Sequence, residues 1–208
     1  MKAKFMDENI KDYIEYFVKN FGEKAHVDVD EIPDIQLYMD QLTTFMESHL
    51  KDTARHPGAD KILTKTMINN YAKDDLLPPP FKKKYGKDHM ILLIYIYYLK
   101  GMLSIGDISK VLSPITDTFF ENPAKTQLTE IYTDIMNAQE GQTDSIMESV
   151  REMYEKADSL FENEKEKDRE KLRFFALISF LGYDVYLRQL LMEKLIDEFA
   201  GQNQSEEE

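Results

Sequence analysis

Cysteine is absent from the 208 residues, which excludes a disulfide framework and any thiolate metal site and suits a reducing compartment. No secretory apolar region opens the chain. In Met1-Lys2-Ala3-Lys4-Phe5-Met6-Asp7 a charge follows soon after every apolar residue, so a cytoplasmic location is expected. The longest unbroken apolar run, Met90 to Leu99, is ten residues, about half of the ~20 that span a hydrocarbon core; it predicts a buried helix and no membrane partner. The words GxGxxG, GxxxxGK[ST] and GxSxG are missing. His26, His49, His56 and His89 lack HExxH-type spacing and read as ordinary surface or half-buried histidines. Thirty-nine carboxylates ensure close pairs by number alone, so they identify no acid–base dyad. These absences predict a chain that is not an enzyme and needs neither cofactor nor metal.

Charge is plentiful but segregated. The net charge of −13 opposes a nucleic-acid partner at first sight, because Lys and Arg neutralising phosphates supply most non-specific affinity. Residues 60–100, however, hold eight Lys against four Asp (+4), whereas residues 121–208 hold ten basic against twenty-one acidic groups (−11).

Helix-period apolar spacing recurs nearly everywhere and strand-period alternation almost nowhere, which predicts an all-α protein. Ile10, Tyr13, Ile14, Phe17, Val18 and Phe21 form one face of a first helix that Gly22 can end. An acidic linker (Asp28, Asp30, Glu31) follows. Pro33 suits the first turn of a helix over 34–50 with the stripe Ile35, Tyr38, Met39, Leu42, Phe45 and Met46. Residues 62–77 read as a short helix stopped by Pro78-Pro79-Pro80, and Phe81 to Lys87 as a basic hairpin or extended wing. Asp88 is expected to cap the apolar helix, and Ser104 with Asp107 to open a helix ending near Pro114. Beyond Pro123, Leu128, Ile131, Tyr132, Ile135 and Met136 share a face before a break at 139–142. Ile146, Val150, Met153, Ala157 and Leu160 follow at coiled-coil spacing, but two heptads favour bundle packing. The last helix, about 168–200, is apolar on nearly all sides, as in a central or interfacial helix.

The candidate chemistry lies in Thr64-Lys65-Thr66-Met67-Ile68-Asn69-Asn70-Tyr71-Ala72-Lys73. Hydroxyls and N–H groups at a helix start can hold a phosphate, and Asn can pair bidentately with adenine in the major groove. Lys65, Lys73, Lys82, Lys83, Lys84 and Lys87 can supply phosphate contacts. A capped surface helix beside a solvated lysine run has the same composition.

The run Leu63 to Leu112 resembles the MerR-type winged helix-turn-helix, and the words LYMDQLTTFM, LTKTMINNY and KKKYGKDH resemble an uncharacterised bacterial domain family of unknown function to which a MerR-like fold is assigned. With the pattern along the chain, this predicts a division into an N-terminal helix and acidic linker (1–32), a winged helix-turn-helix (33–114) that the resemblance implies, a C-terminal helical bundle or dimerisation region (115–200) and a disordered acidic tail (201–208). The resemblance places recognition-helix positions on Thr64, Lys65, Thr66, Asn69 and Tyr71 and the wing on Lys82 to Lys87. Asn69 stands where MerR-type readers carry Arg, and the wing lacks their Asn-Gly-Tyr-Arg word, so base preference is not inherited. The connection through 51–61 is also longer than in that fold. The resulting expectation is a sequence-specific transcriptional regulator binding double-stranded DNA as a homodimer through its C-terminal helices, with room there for a small-molecule effector. The rival is a non-catalytic interaction module whose acidic half binds a basic protein.

Overall fold

Thirteen residues from Lys87 to Leu99 form a helix that is apolar almost all round, and such a helix must be enclosed on every side. Met90, Ile91, Leu92, Leu93, Ile94 and Ile96 are each at most 1% exposed. The computed structural model describes residues 7–21, 26–139 and 141–205. It is mostly helical, with one two-stranded sheet among the described residues. The chain divides into two compact units, Met1–Glu23 with Gln139–Leu191, and Lys24–Ala138 with Met192–Glu208.

The second unit runs β1 (Leu37–Tyr38), α2 (Met39–Leu50), α3 (Lys65–Lys73), β2 (Lys84–Tyr85), α4 (Lys87–Leu99), α5 (Ile105–Phe119) and α6 (Leu128–Ala138). Leu42, Phe45, Met46 and Leu50 of α2, Ile68 and Tyr71 of α3, Ile108 and Leu112 of α5, and Leu128 and Tyr132 of α6 share one core with α4. Tyr132 is wholly buried and donates its hydroxyl to the Val27 carbonyl at 2.5 Å, tying the entry segment to α6. Lys100 Nζ donates to the Ile62 carbonyl at 2.7 Å and fastens the chain before α3 to the end of α4.

Several boundaries differ from the sequence expectation. The helix expected over 34–50 begins at Met39, because Leu37 and Tyr38 are held extended by antiparallel pairing with Tyr85 and Lys84. Ile35 and Tyr38 therefore leave the apolar stripe and are exposed. The helix expected over 62–77 shrinks to α3: Thr64 caps its start, while the Leu76 and Leu77 N–H groups both fold back onto the Tyr71 carbonyl. Asp88 does not cap α4. Gly86 is the N-cap, and Asp88 Oδ2 accepts the Glu121 N–H at 2.7 Å, anchoring the loop after α5. Pro114 lies inside α5, where its missing N–H costs one bond while Ile115 and Phe119 still pack on the core. Helix α6 belongs with this unit, since it packs on α4, so its compact limit falls at Ala138 rather than at 114.

The first unit holds α1 (Asp7–Phe21), α7 (Gln142–Asp158) and the N-terminal part of α8 (Glu166–Ser205). Arg151 on α7 donates from Nε and Nη2 to both carboxylate oxygens of Glu15 on α1 at 2.7 and 2.9 Å. Ala157, Ala176 and Leu177 form the small core, with Ile10, Met153, Tyr154, Phe180 and Leu181 against it. Gly22, expected to end α1, lies outside the described residues. Helix α8 extends beyond the expected 200 to Ser205, into the segment expected to be a disordered tail; residues 206–208 of that tail lie outside the described residues. Within Glu166–Ala200 an 18-residue window reaches a mean hydropathy of 1.3, enough to cross a membrane by length and composition alone.

His89, expected at the surface or half buried, is 2% exposed. Its Nδ1 accepts the Gly86 N–H at 3.1 Å, so the neutral ring carries its proton on Nε2, which is buried with no hydrogen-bond partner among the described residues. The ring packs edge-on against Tyr85 and Phe120. Burial pushes its pKa down from 6.5 to about 4. A folded-state value below the unfolded one gives stability that is complete above about pH 6.5 and falls as the pH drops towards 4. Chemical denaturation should show the unfolding free energy falling through this window by up to roughly 3 kcal/mol. His89→Phe should be less stable at neutral pH but show a flatter pH slope there; an unchanged slope would exclude His89 as its source. Tyr132→Phe, which removes the buried hydrogen bond to the Val27 carbonyl, should cost about 0.5–1.5 kcal/mol in the same assay.

A candidate nucleic-acid interface

Thr64 starts α3 by accepting the Met67 N–H on Oγ1 at 3.2 Å, and its extended backbone makes it the N-cap. The N–H groups of Lys65 and Thr66, in the first turn, have no intrahelical acceptor and lie at the positive end of the helix. At 3.6 residues per turn, Ile68 and Tyr71 point inward, with Met67 half-buried beside them. The opposite arc then carries Lys65, Thr66, Asn69, Asn70 and Lys73, all five exposed.

Tyr71 is a correction to the sequence-derived set: at 7% exposure it is part of the core, because the helix period that buries Ile68 also buries the position three residues on. Thr64 is half-buried and its oxygen is engaged as the cap. Lys65 makes an ion pair with Asp40 at the start of α2. Lys87 is half-buried as the first residue of α4.

The basic segment makes a tight turn. The Lys84 N–H donates to the Phe81 carbonyl at 3.0 Å, and Phe81 bridges to Lys84. The central residues Lys82 and Lys83 both have left-handed backbones, φ 50° and 63°. This is the I′ pattern, in which Asn-Gly is the favoured pair because a Cβ is penalised there by about 1–2 kcal/mol. Lysine at both positions is costly for folding and leaves two exposed cations at the tip. Lys82 Nζ lies 5.1 Å from the Phe81 ring centroid, and Lys84 Nζ lies 5.2 Å from that of Tyr38.

The start of α2 brings these parts together. Tyr38 pairs with Lys84 across the sheet, and Asp40, two residues on, holds Lys65 of α3. Helix α3 and the lysine turn thus flank one short stretch of chain. Sequence reasoning missed Tyr38 and Phe81, which are 54% and 65% exposed beside Lys84 and Lys82. The only signal was an apolar residue, Phe81, standing alone between three prolines and three lysines. Among the described residues no group of three or more His, Asp or Glu gathers as a metal site. In the first unit a recess lined by Tyr154, Asp158, Arg173 and Phe174 has space for about one water, well short of the several hundred Å³ of a small-molecule pocket.

A family model described as a domain of unknown function (DUF1836) matches residues 27–135, from the segment held by Tyr132 through most of α6. The chain belongs to the DUF1836 family. The match includes β1, β2 and the whole α2–α5 framework, so the DUF1836 region coincides with the second unit apart from its contribution from α8. No curated protein and no solved structure matches the chain. Replacing the turn pair by the residues its backbone favours, Lys82→Asn with Lys83→Gly, should raise the stability of this domain by about 1–2 kcal/mol in thermal or chemical denaturation. A destabilised variant would show that the two lysines make compensating contacts.

Proposed function

We propose that the DUF1836 region is a sequence-specific reader of double-stranded DNA, of the MerR-like winged helix-turn-helix kind, acting as a homodimeric transcriptional regulator. The carrying observation is the exposed arc of Lys65, Thr66, Asn69, Asn70 and Lys73 on a helix whose other side is locked in the core, with the lysine turn beside the same start of α2. A helix rigid on one side and lined with amides, hydroxyls and cations on the other suits insertion in a major groove, where Asn69 and Asn70 would meet base edges and the lysines phosphates. The order strand, two helices, basic turn, two helices supports a winged arrangement in which Lys82, Lys83 and Lys84 grip the flanking backbone. The 51–64 connection is longer than the three or four residues of a simple helix-turn-helix, so the approach angle would be this family's own.

Interaction with a basic protein partner is the second reading, favoured by the −11 charge of residues 121–208. Against it for this surface stands the exposure of the α3 arc and of Lys82 and Lys83, whose one ion pair among the described residues is that of Lys65 with Asp40.

Fluorescence anisotropy against genomic fragments at two salt concentrations tests the proposal. Saturable binding that weakens steeply with salt is expected, and its absence at low salt would reject DNA recognition. Lys82→Ala, Lys83→Ala and Lys84→Ala together should weaken binding to all sequences and reduce the log K against log salt slope by about 2–3. Asn70→Ala should instead cost about 1–3 kcal/mol on the preferred site and relax preference at one base pair.

A further inference from the structure

The pairing that sets Tyr38 opposite Lys84 continues one stretch of chain further out, because the Lys84 N–H donates to the Phe81 carbonyl and Phe81 bridges to Lys84. Residues directly opposite one another in an antiparallel ladder project from the same face. Phe81, Lys84 and Tyr38 therefore make one row across three neighbouring segments, and the Lys84 ammonium beside the Tyr38 ring lies on that face. The next pair along the ribbon, Leu37 and Tyr85, projects from the other face and is buried. The ribbon thus rests on the core through Leu37 and Tyr85 and turns the row outward, with both of its rings more than half exposed.

Neither Phe81 nor Tyr38 packs on the hydrophobic core, so the fold makes no use of the two rings there. Neighbouring strands lie about 4.8 Å apart, which sets the rings on the order of 10 Å from each other with a cation between them. Each ring also has an ammonium beside it, Lys82 at Phe81 and Lys84 at Tyr38. Exposed cation–π contacts of this kind are weak, and a lysine can exchange one for a phosphate. The surface alternates flat ring, cation, flat ring, with Lys82 and Lys83 at the adjoining turn.

We propose that this row is a stacking platform for single-stranded DNA, with unpaired bases against Phe81 and Tyr38 and the phosphate between them on Lys84. A single strand alternates flat bases with phosphates, and every unpaired base has a face to offer an aromatic ring. Bases inside a duplex are covered on both faces by their neighbours, so the rings could reach them only by unstacking a step at added cost. Deoxyribose suits the site better than ribose, because a 2′-hydroxyl lying between two apolar rings would lose water without gaining an acceptor. A lipid surface fits less well: Lys84 stands between the rings on the same face, so no continuous apolar surface can enter hydrocarbon without taking that charge with it. The inference goes beyond the duplex reading proposed above. It uses the ribbon and not the outer arc of α3, so either can fail without the other.

The chain has no tryptophan, so Phe81→Trp places a single indole in the row as a reporter. Titrating this full-length variant with a thymidine decanucleotide at low salt should quench its emission to saturation. With the same strand carrying fluorescein, anisotropy should show Phe81→Ala and Tyr38→Ala each weakening binding about tenfold, the loss expected for one stacked base. Phe81→Leu should bind as weakly as Phe81→Ala, since leucine is apolar but has no flat face, whereas Phe81→Trp should bind at least as well as the natural chain. The slope of log K against log salt should be unchanged in Phe81→Ala, because no cation has been removed. Both alanine variants should keep the far-UV signal and melting temperature, should bind a mixed-sequence duplex within about twofold of the natural chain, and Asn70→Ala should leave decanucleotide binding as it is. Absence of quenching, alanine variants that bind the strand unchanged or lose the duplex equally, full activity of Phe81→Leu, a uridine decanucleotide bound at least as tightly, or a response to phosphatidylserine vesicles and not to the strand would each overturn the proposal.

Discussion

The second unit depends on enclosing α4. A thirteen-residue helix with Met90 through Ile94 and Ile96 removed from water needs neighbours on all sides, and α2, α3, α5 and α6 supply them. At about 25 cal/mol per Å² of apolar surface, this shared burial is the dominant favourable term holding the domain together. The polar links around it act at the edges: Tyr132 to Val27, Lys100 to Ile62, and Asp88 to Glu121 each tie a connecting segment to a helix end. His89 is the exception, a titratable ring inside the apolar shell, kept neutral by its surroundings.

Burial around α4 also dictates which side of α3 faces outward. Once Ile68 and Tyr71 are committed to the core, Lys65, Thr66, Asn69, Asn70 and Lys73 have no other place than the surface. The lysine turn is set differently. Pairing of Leu37 with Tyr85 and Tyr38 with Lys84 holds the strand that follows the turn, and the Phe81–Lys84 bridge closes through two left-handed lysines. Backbone strain of this kind persists only where the surroundings over-determine it, and it concentrates at surfaces that bind. Stability given up at Lys82 and Lys83 is consistent with a role for their charges outside the folded chain.

The first unit has a different economy. Its own core is small, Ala157, Ala176 and Leu177 with a few half-buried neighbours, and the Arg151–Glu15 pair between α1 and α7 is solvent-exposed, where ion pairs contribute little. A long helix that buries one apolar side and leaves a second uncovered is stable as a helix because neighbouring turns support one another, yet it keeps hydrophobic surface available for association.

Periodicity alone determined the helical class, a short helix ahead of the three prolines, the burial of α4 and the ambiguous, all-round apolar character of α8, because local spacing of apolar residues reports which faces can meet water. The words shared with DUF1836 determined the family. Local reading failed where a distant strand or helix intervened. Pairing with β2 held Leu37 and Tyr38 out of α2, packing of Ile115 and Phe119 carried α5 through Pro114, and the Glu121 N–H drew Asp88 away from a capping role. The exposure of Phe81 and Tyr38, the left-handed lysines, the burial of Tyr71 and the grouping of α3 with the lysine turn at the start of α2 were likewise decided by tertiary structure. Each depends on residues far apart in the chain competing for the same core or the same hydrogen bond, and a sequence read along its length does not contain that competition.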